Sequence, residues 1–211
     1  MNTVIVSLIC AVIGYLIGSI PFGYIIVFLV KGIDIRKQGS GRTGGTNVFR
    51  VAGFPAGIIT ALLDVGKGAI TVTLVRSLLP DTNGLAETLA GIGVVLGHNA
   101  SIFLGFRGGA GGATSVGTAM ALWPLGGLPS LIVGVFTLFV IGYASLATIL
   151  AALAVAVVFT YSGLTGHEIP LTYAAFGWGI VVLVVIALRP NIGRLLNGTE
   201  KRVSVFKRKS S

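Results

Sequence analysis

Charge is what this chain has least of. Only 10% of its 211 residues are Asp, Glu, Lys or Arg, against 54% hydrophobic ones, where a soluble domain carries roughly 25% charged residues. So few charges cannot cover a water-soluble globule, because most surface positions need polar contact. Acidic residues are scarcest, 6 against 15 basic ones. Cys10 is the single cysteine, which excludes an intrachain disulfide and any multi-cysteine metal site. Of the two histidines, His167 sits beside Glu168 in a loop and reads as solvated, and His98 reads as a hydrogen-bonding residue at a helix end. Nothing in the pattern calls for a metal or a cofactor.

The net charge of +9 is local, since Lys and Arg gather in residues 31–50 and 189–209. No aromatic-plus-basic module lies between the clusters, so nucleic acid is a poor partner. Anionic lipid headgroups or a phosphorylated substrate fit better.

Long apolar runs fill the rest. Seven candidate spans fall at about 3–30, 53–79, 85–104, 113–125, 128–142, 146–163 and 170–188, near the roughly 20 residues that cross a bilayer. The fourth and fifth are short and separated only by Leu125, Gly126, Gly127 and Leu128. They are two half-length helices or one broken element, which makes the count six or seven, with seven preferred. The first run is too long for a signal-peptide core and has no basic residue before it, so it reads as a retained span.

The cations choose the orientation. With seven spans and the N-terminus outside, the inner segments 31–52, 105–112, 143–145 and 189–211 hold Lys31, Arg36, Lys37, Arg42, Arg50, Arg107, Arg189, Arg194, Lys201, Arg202, Lys207, Arg208 and Lys209. The outer segments 80–84, 126–127 and 164–169 hold no Lys or Arg. The positive-inside rule therefore predicts an all-α integral membrane protein, one polytopic domain over 1–211, with a cytoplasmic C-terminus. The tail after Asn197 is polar and basic and reads as frayed at its end.

Five polar motifs interrupt the apolar pattern. The first is Gly39-Ser40-Gly41-Arg42-Thr43-Gly44-Gly45-Thr46-Asn47, followed by Arg50. It contains GxGxxG, but a dinucleotide site needs a strand before it, and here the neighbours are membrane helices. Its glycines allow backbone N–H groups to converge on an anion, with hydroxyls and two arginines alongside; the plainer reading is a flexible basic loop. The second joins His98-Asn99 to Arg107-Gly108-Gly109-Ala110-Gly111-Gly112 and Thr114-Ser115. It is a glycine loop entering a helix N-terminus, which suits phosphate or is simply a tight connector. The third, Asp64-Val65-Gly66-Lys67, places an acid and a base on one face of a span, either as a structural ion pair or in a catalytic role. The fourth, Tyr143-Ala144-Ser145, and the fifth, Asn191 to Glu200, lie at inner helix ends. The topology gathers all the loop motifs on one face.

In order and spacing, these motifs resemble the bacterial acyl-phosphate:glycerol-3-phosphate acyltransferases of the PlsY type, over nearly the whole chain from Gly18 to Glu200. The HxxxxD pattern of the soluble-type acyltransferases is absent. The resemblance implies seven spans in the cell membrane and a cytoplasm-facing active site. The reaction it implies is acyl transfer from acyl phosphate to the 1-hydroxyl of glycerol 3-phosphate. It further implies that Ser40, Gly41, Asn47 and Ser145 hold the acyl-phosphate headgroup, that Arg50 binds the acceptor phosphate, and that Asn191 belongs to the acceptor end. Gly39, Arg42, Thr46, Arg107, Gly108, Gly109, Gly111, Thr114 and Ser115 join as candidate phosphate-loop residues. Asp64, Lys67, His98 and Asn99 are candidate supporting polar groups.

The chain departs from that family at four places. Ala110 stands where a lysine is usual, Leu188 where a histidine is usual, Arg42 for an asparagine and Gly142 for an arginine. Two expected groups on the acceptor phosphate are missing, each worth roughly 1.5–3 kcal/mol as a charge-assisted hydrogen bond. Arg42 or Arg107 is able to replace them, since a guanidinium binds phosphate bidentately. An altered acyl acceptor, and a non-catalytic lipid- or anion-binding membrane protein or small transporter, are the competing readings.

Overall fold

In a computed structural model of the chain, residues 2–79, 82–166 and 169–203 are described. His167, Glu168, Lys207, Arg208 and Lys209 lie outside them. All regular structure among the described residues is helical: α1 Thr3–Gly18, α2 Phe22–Lys31, α3 Gly45–Ala52, α4 Phe54–Leu78, α5 Leu85–Asn99, α6 Gly112–Leu122, α7 Pro124–Phe136, α8 Ala144–Leu164 and α9 Thr172–Leu196. Short 3-10 turns follow α2 and α5, and a π-helical turn, Thr137–Ile141, extends α7.

Among the described residues, six helical segments are long and apolar enough to cross a membrane: Thr3–Lys31, Phe54–Leu78, Leu85–Leu104, Pro124–Ile141, Ala144–Leu164 and Thr172–Leu196. The predicted span at 113–125 is α6, with 11 residues. At 1.5 Å per residue it is about 16 Å long, well short of a hydrocarbon core of roughly 30 Å.

Three details differ from what the sequence pattern predicts. The first span is interrupted: Pro21 has no N–H to continue the α1 ladder, and α2 restarts at Phe22. Residues 45–52, expected as loop, form α3, whose Val48 is fully buried against Val27, Ile35 and Ala56. The break between α6 and α7 falls at Trp123, because Pro124 opens the next helix. Gly126 and Gly127 are helical, packed against Phe159 and Met120 where a side chain would collide.

Small residues bring α1 against α5. A methyl group on Gly18 would strike the Val94 carbonyl, and one on Gly97 the Tyr15 carbonyl, so the two backbones touch. The main core joins α4, α5, α6, α8 and α9 around Phe159, Phe176, Ile180 and Val184. Short α6 ends inside the bundle, and Arg76 satisfies its last carbonyls. Its guanidinium donates to Ala121 O at 2.7 Å, Leu122 O at 2.8 Å and Glu87 at 2.8 Å. A cation at a helix C-terminus also opposes the helix dipole.

Candidate active site

The first loop is shaped by a buried amide. Asn47 accepts from Ser40 N at 3.0 Å and donates to Gln38 O at 3.1 Å and Arg42 O at 2.8 Å. Gly39, at φ +58°, packs against that side chain with no room for a Cβ. Asn47 therefore folds the loop, which presents Ser40 and Arg42. Thr46 and Arg50 follow on α3.

The second loop crosses beneath the first: Thr43 N donates to Gly108 O at 3.4 Å and Gly109 N to His98 O at 2.9 Å. Gly111, at φ +85°, turns the chain into α6, and no side chain caps that helix. The first-turn amides of α6 thus lie beside Gly111, Gly112 and Ala113 at the edge of a cavity of about 310 Å³.

Asp64 of α4 sits at the same level. It pairs with Lys67 at 2.9 Å and faces His98 Nδ1 at 3.3 Å. Lys67 also donates to Ile20 O, at the break in the first span, at 3.1 Å. The expected pairing of Asp64 and Lys67 is present, and it ties α4 to the interrupted helix.

Where α8 begins and α9 ends, one carboxylate collects three donors. Glu200 accepts from Ser145 Oγ at 3.0 Å, Asn191 Nδ2 at 2.7 Å and Arg194 Nε at 2.8 Å. Burial opposes its charge, but these hydrogen bonds outweigh the penalty and hold its carboxyl below the usual glutamate range. Arg50 donates to the neighbouring Lys201 O at 3.3 Å, and Val203 N to Gly142 O at 2.7 Å. The segment after α9 is thereby fastened across the site.

Of the candidate residues, Ser40, Arg42, Thr46, Asn47, Arg50, Asp64, His98, Gly111, Ser145 and Asn191 meet in the wall of this one cavity. Gly39, Gly41, Gly108, Gly109, Lys67 and Asn99 are not part of that wall. Thr114 and Ser115 are buried on α6 with hydroxyls that have no partner among the described residues. Arg107 is exposed and outside the wall. Sequence reasoning assigns Glu200 no role; the signal it offers is a lone acid in a basic tail. Sequence reasoning also misses the cavity's apolar end, lined by Leu131, Gly134, Val135 and Leu138 of the α7 segment and by Ala147 and Ala151 of α8. The signal there is the run of small residues on α8.

The charges in the wall are uneven. Lys67 answers Asp64, and Arg194 answers Glu200. Among the described residues, Arg42 and Arg50 donate only to neutral oxygens. Burial pulls both guanidinium pKa values down from their usual level, yet arginine stays charged. Among the described residues, no three acidic, cysteine or histidine side chains gather as metal ligands.

Fold and site define an integral membrane helical protein with one amphipathic cavity, cationic at one end and apolar at the other. A sequence profile described as glycerol-3-phosphate acyltransferase matches residues 8–198. The glycerol-3-phosphate acyltransferase of Shouchella clausii (strain KSM-K16) is 40% identical over 94% of this chain and 97% of its own. That of Halalkalibacterium halodurans is 39% identical over 90% and 91%. Two crystal structures of PlsY (YgiH), an integral membrane glycerol 3-phosphate acyltransferase, have similar folds. The glycerol 3-phosphate form has a TM-score of 0.81 and the lysophosphatidic acid form 0.79, each at 36% identity over 93% of this chain and 94% of theirs. The chain belongs to the glycerol-3-phosphate acyltransferase family.

Proposed function

We propose that this protein transfers a fatty acyl group from acyl phosphate to the 1-hydroxyl of glycerol 3-phosphate, producing lysophosphatidic acid and inorganic phosphate. The observation that carries this reading is a cavity with two arginines at one end, neither ion-paired among the described residues, and an apolar groove at the other. Acyl phosphate lays its chain along Gly134 and Ala151 and its phosphate against Ser40, the first loop and the free amides of α6. Arg50 holds the phosphate of the acceptor, and Asn191 lies at the acceptor end. The acceptor hydroxyl attacks the acyl carbon, the bond from that carbon to the phosphate oxygen breaks, and a phosphate oxygen of the substrate takes the hydroxyl proton. Acyl phosphate is a mixed anhydride already, so proximity and charge stabilisation suffice and no covalent enzyme intermediate forms.

The cavity faces the cytoplasm of a cell membrane in this reading, and α6 with its entering loop makes a short seventh crossing. The distribution of Lys and Arg supports that topology. Purified protein given acyl phosphate should release phosphate only when glycerol 3-phosphate is present. Ser40→Ala and Arg50→Gln should abolish release; full activity in both would refute the roles of Ser40 and Arg50.

A second reading keeps the acyl-phosphate pocket and changes the acceptor. Ala110 and Leu188, both in the wall, favour it because neither binds an anion. Faster transfer to an unphosphorylated polyol or a lipid alcohol than to glycerol 3-phosphate would establish it.

A further inference from the structure

Arg42 occupies an unusual place in the cavity wall. Its guanidinium donates to Gly109 O at 3.4 Å, to Ala187 O and to Asn191 Oδ1 at 3.2 Å. Gly109 and Ala187 immediately precede Ala110 and Leu188, two wall residues without charge. One long side chain from the first loop thus brings charge to a region that the second loop and α9 leave neutral. Asn191 bonds Glu200 in turn, and the next carbonyl, Lys201 O, accepts from Arg50. Arg42 and Arg50 therefore flank a single Asn191–Glu200 unit. A phosphomonoester carries close to two negative charges at neutral pH, and among the described residues the wall's two arginines, Arg42 and Arg50, have no carboxylate partner.

We propose that Arg42 is a specificity-determining residue that closes, together with Arg50, on the acceptor's phosphomonoester and so selects a phosphorylated acceptor over a neutral polyol. This rests on the acyl-transfer reading and assigns a ligand within it. Acyl phosphate is left to neutral donors, namely Ser40 and the amides of the first loop and of α6. The two reactants are then held by different groups, and loss of Arg42 affects one of them.

The test compares Arg42→Gln and Arg42→Lys in detergent-purified protein. Arg42→Gln should raise KM for glycerol 3-phosphate by about 10- to 100-fold, the range expected for one lost charge-assisted interaction. KM for acyl phosphate should move by less than about threefold, and the preference for glycerol 3-phosphate over glycerol should fall with the first constant. Arg42→Lys keeps the charge and loses the fork, so it should recover part of the difference. An equal rise in both KM values, or an unchanged preference, overturns the proposal. If Arg42→Gln does not fold, the same split in Arg42→Lys decides. Calorimetric binding of glycerol 3-phosphate, without acyl phosphate, separates this from the acyl-transfer reading. Should the unmodified protein make no lysophosphatidic acid, the reading fails. Weaker binding in the variant would still support Arg42, whereas equal binding, or none by either protein, overturns it.

Discussion

Ser145 Oγ donates to the Glu200 carboxylate over 3.0 Å although the two stand 55 positions apart in the chain. The contact fixes the start of α8 to the segment after α9, and the same oxygen receives Asn191 at 2.7 Å. Removing the carboxylate leaves three donors to find other partners. Glu200→Ala should lower kcat/KM at least about tenfold and reduce stability by about 1–3 kcal/mol. Glu200→Gln, which retains an acceptor oxygen, should lose less of each. Phosphate release and thermal melting in detergent measure the two effects.

The same carboxyl gives a pH dependence. Its folded pKa lies below the ordinary 4.5, so on acidification the unfolded chain takes up the proton first. The stability it contributes is full above that ordinary value and is lost as pH falls through the lowered one. Melting temperature should decline below pH 4.5, and Glu200→Gln should flatten that part of the curve. An identical slope in both proteins counts against the assignment.

Asp64 and Lys67 have almost fully buried side chains. Breaking such a pair from one side strands a charge, at a cost of about 3–5 kcal/mol. Asp64→Leu should therefore be strongly destabilising, and the double change Asp64→Leu with Lys67→Met should recover most of the loss. Unfolding titrations in mixed micelles give the comparison; additive losses would contradict it.

The α1–α5 contact tolerates no side chain at Gly18 or Gly97. Gly97→Val places two methyls against backbone rather than against a flexible tip, costing about 1–3 kcal/mol or more. The yield of monodisperse protein and its melting temperature should both drop, while Gly193→Ala, where nothing lies within 4 Å, should be nearly silent.

At the apolar end, an added Cβ on Gly134 meets the Ala151 methyl at 3.3 Å. Gly134→Leu should shorten the groove and move the preferred donor from long-chain to short-chain acyl phosphates, by about tenfold or more in relative kcat/KM, given roughly 0.8 kcal/mol per buried methylene. An unchanged chain-length profile would place the acyl chain elsewhere.

The membrane class is legible in hydropathy, and loop convergence is legible in the charges. The long segments can be read because lipid imposes length and apolarity on any crossing helix. The pairing of Asp64 with Lys67 is readable because helical spacing alone brings the two together. Other features depend on tertiary context. The 8 residues of α3 show too few turns for a period to stand out, and it is helical because Val48 finds a pocket. Gly126 and Gly127 look like a helix break in the sequence, yet they lie within α7, packed so that Phe159 and Met120 leave no space beside them. Glu200 cannot be placed from spacing, since Ser145 and Asn191 reach it only through the three-dimensional fold. The choice between Arg42 and Arg107 is equally open in the sequence; only the folded first loop aims Arg42 inward.

The stretch beyond α9 has a practical consequence. Hydropathy ends with Leu196, so an engineer trimming the gene for crystallisation, or fusing a reporter, would cut just there. That cut would discard Glu200, Lys201 O and Val203 N, and with them the clasp that aligns Ser145, Asn191 and Arg50. A shortened variant would keep every long apolar segment and lose its geometry for chemistry.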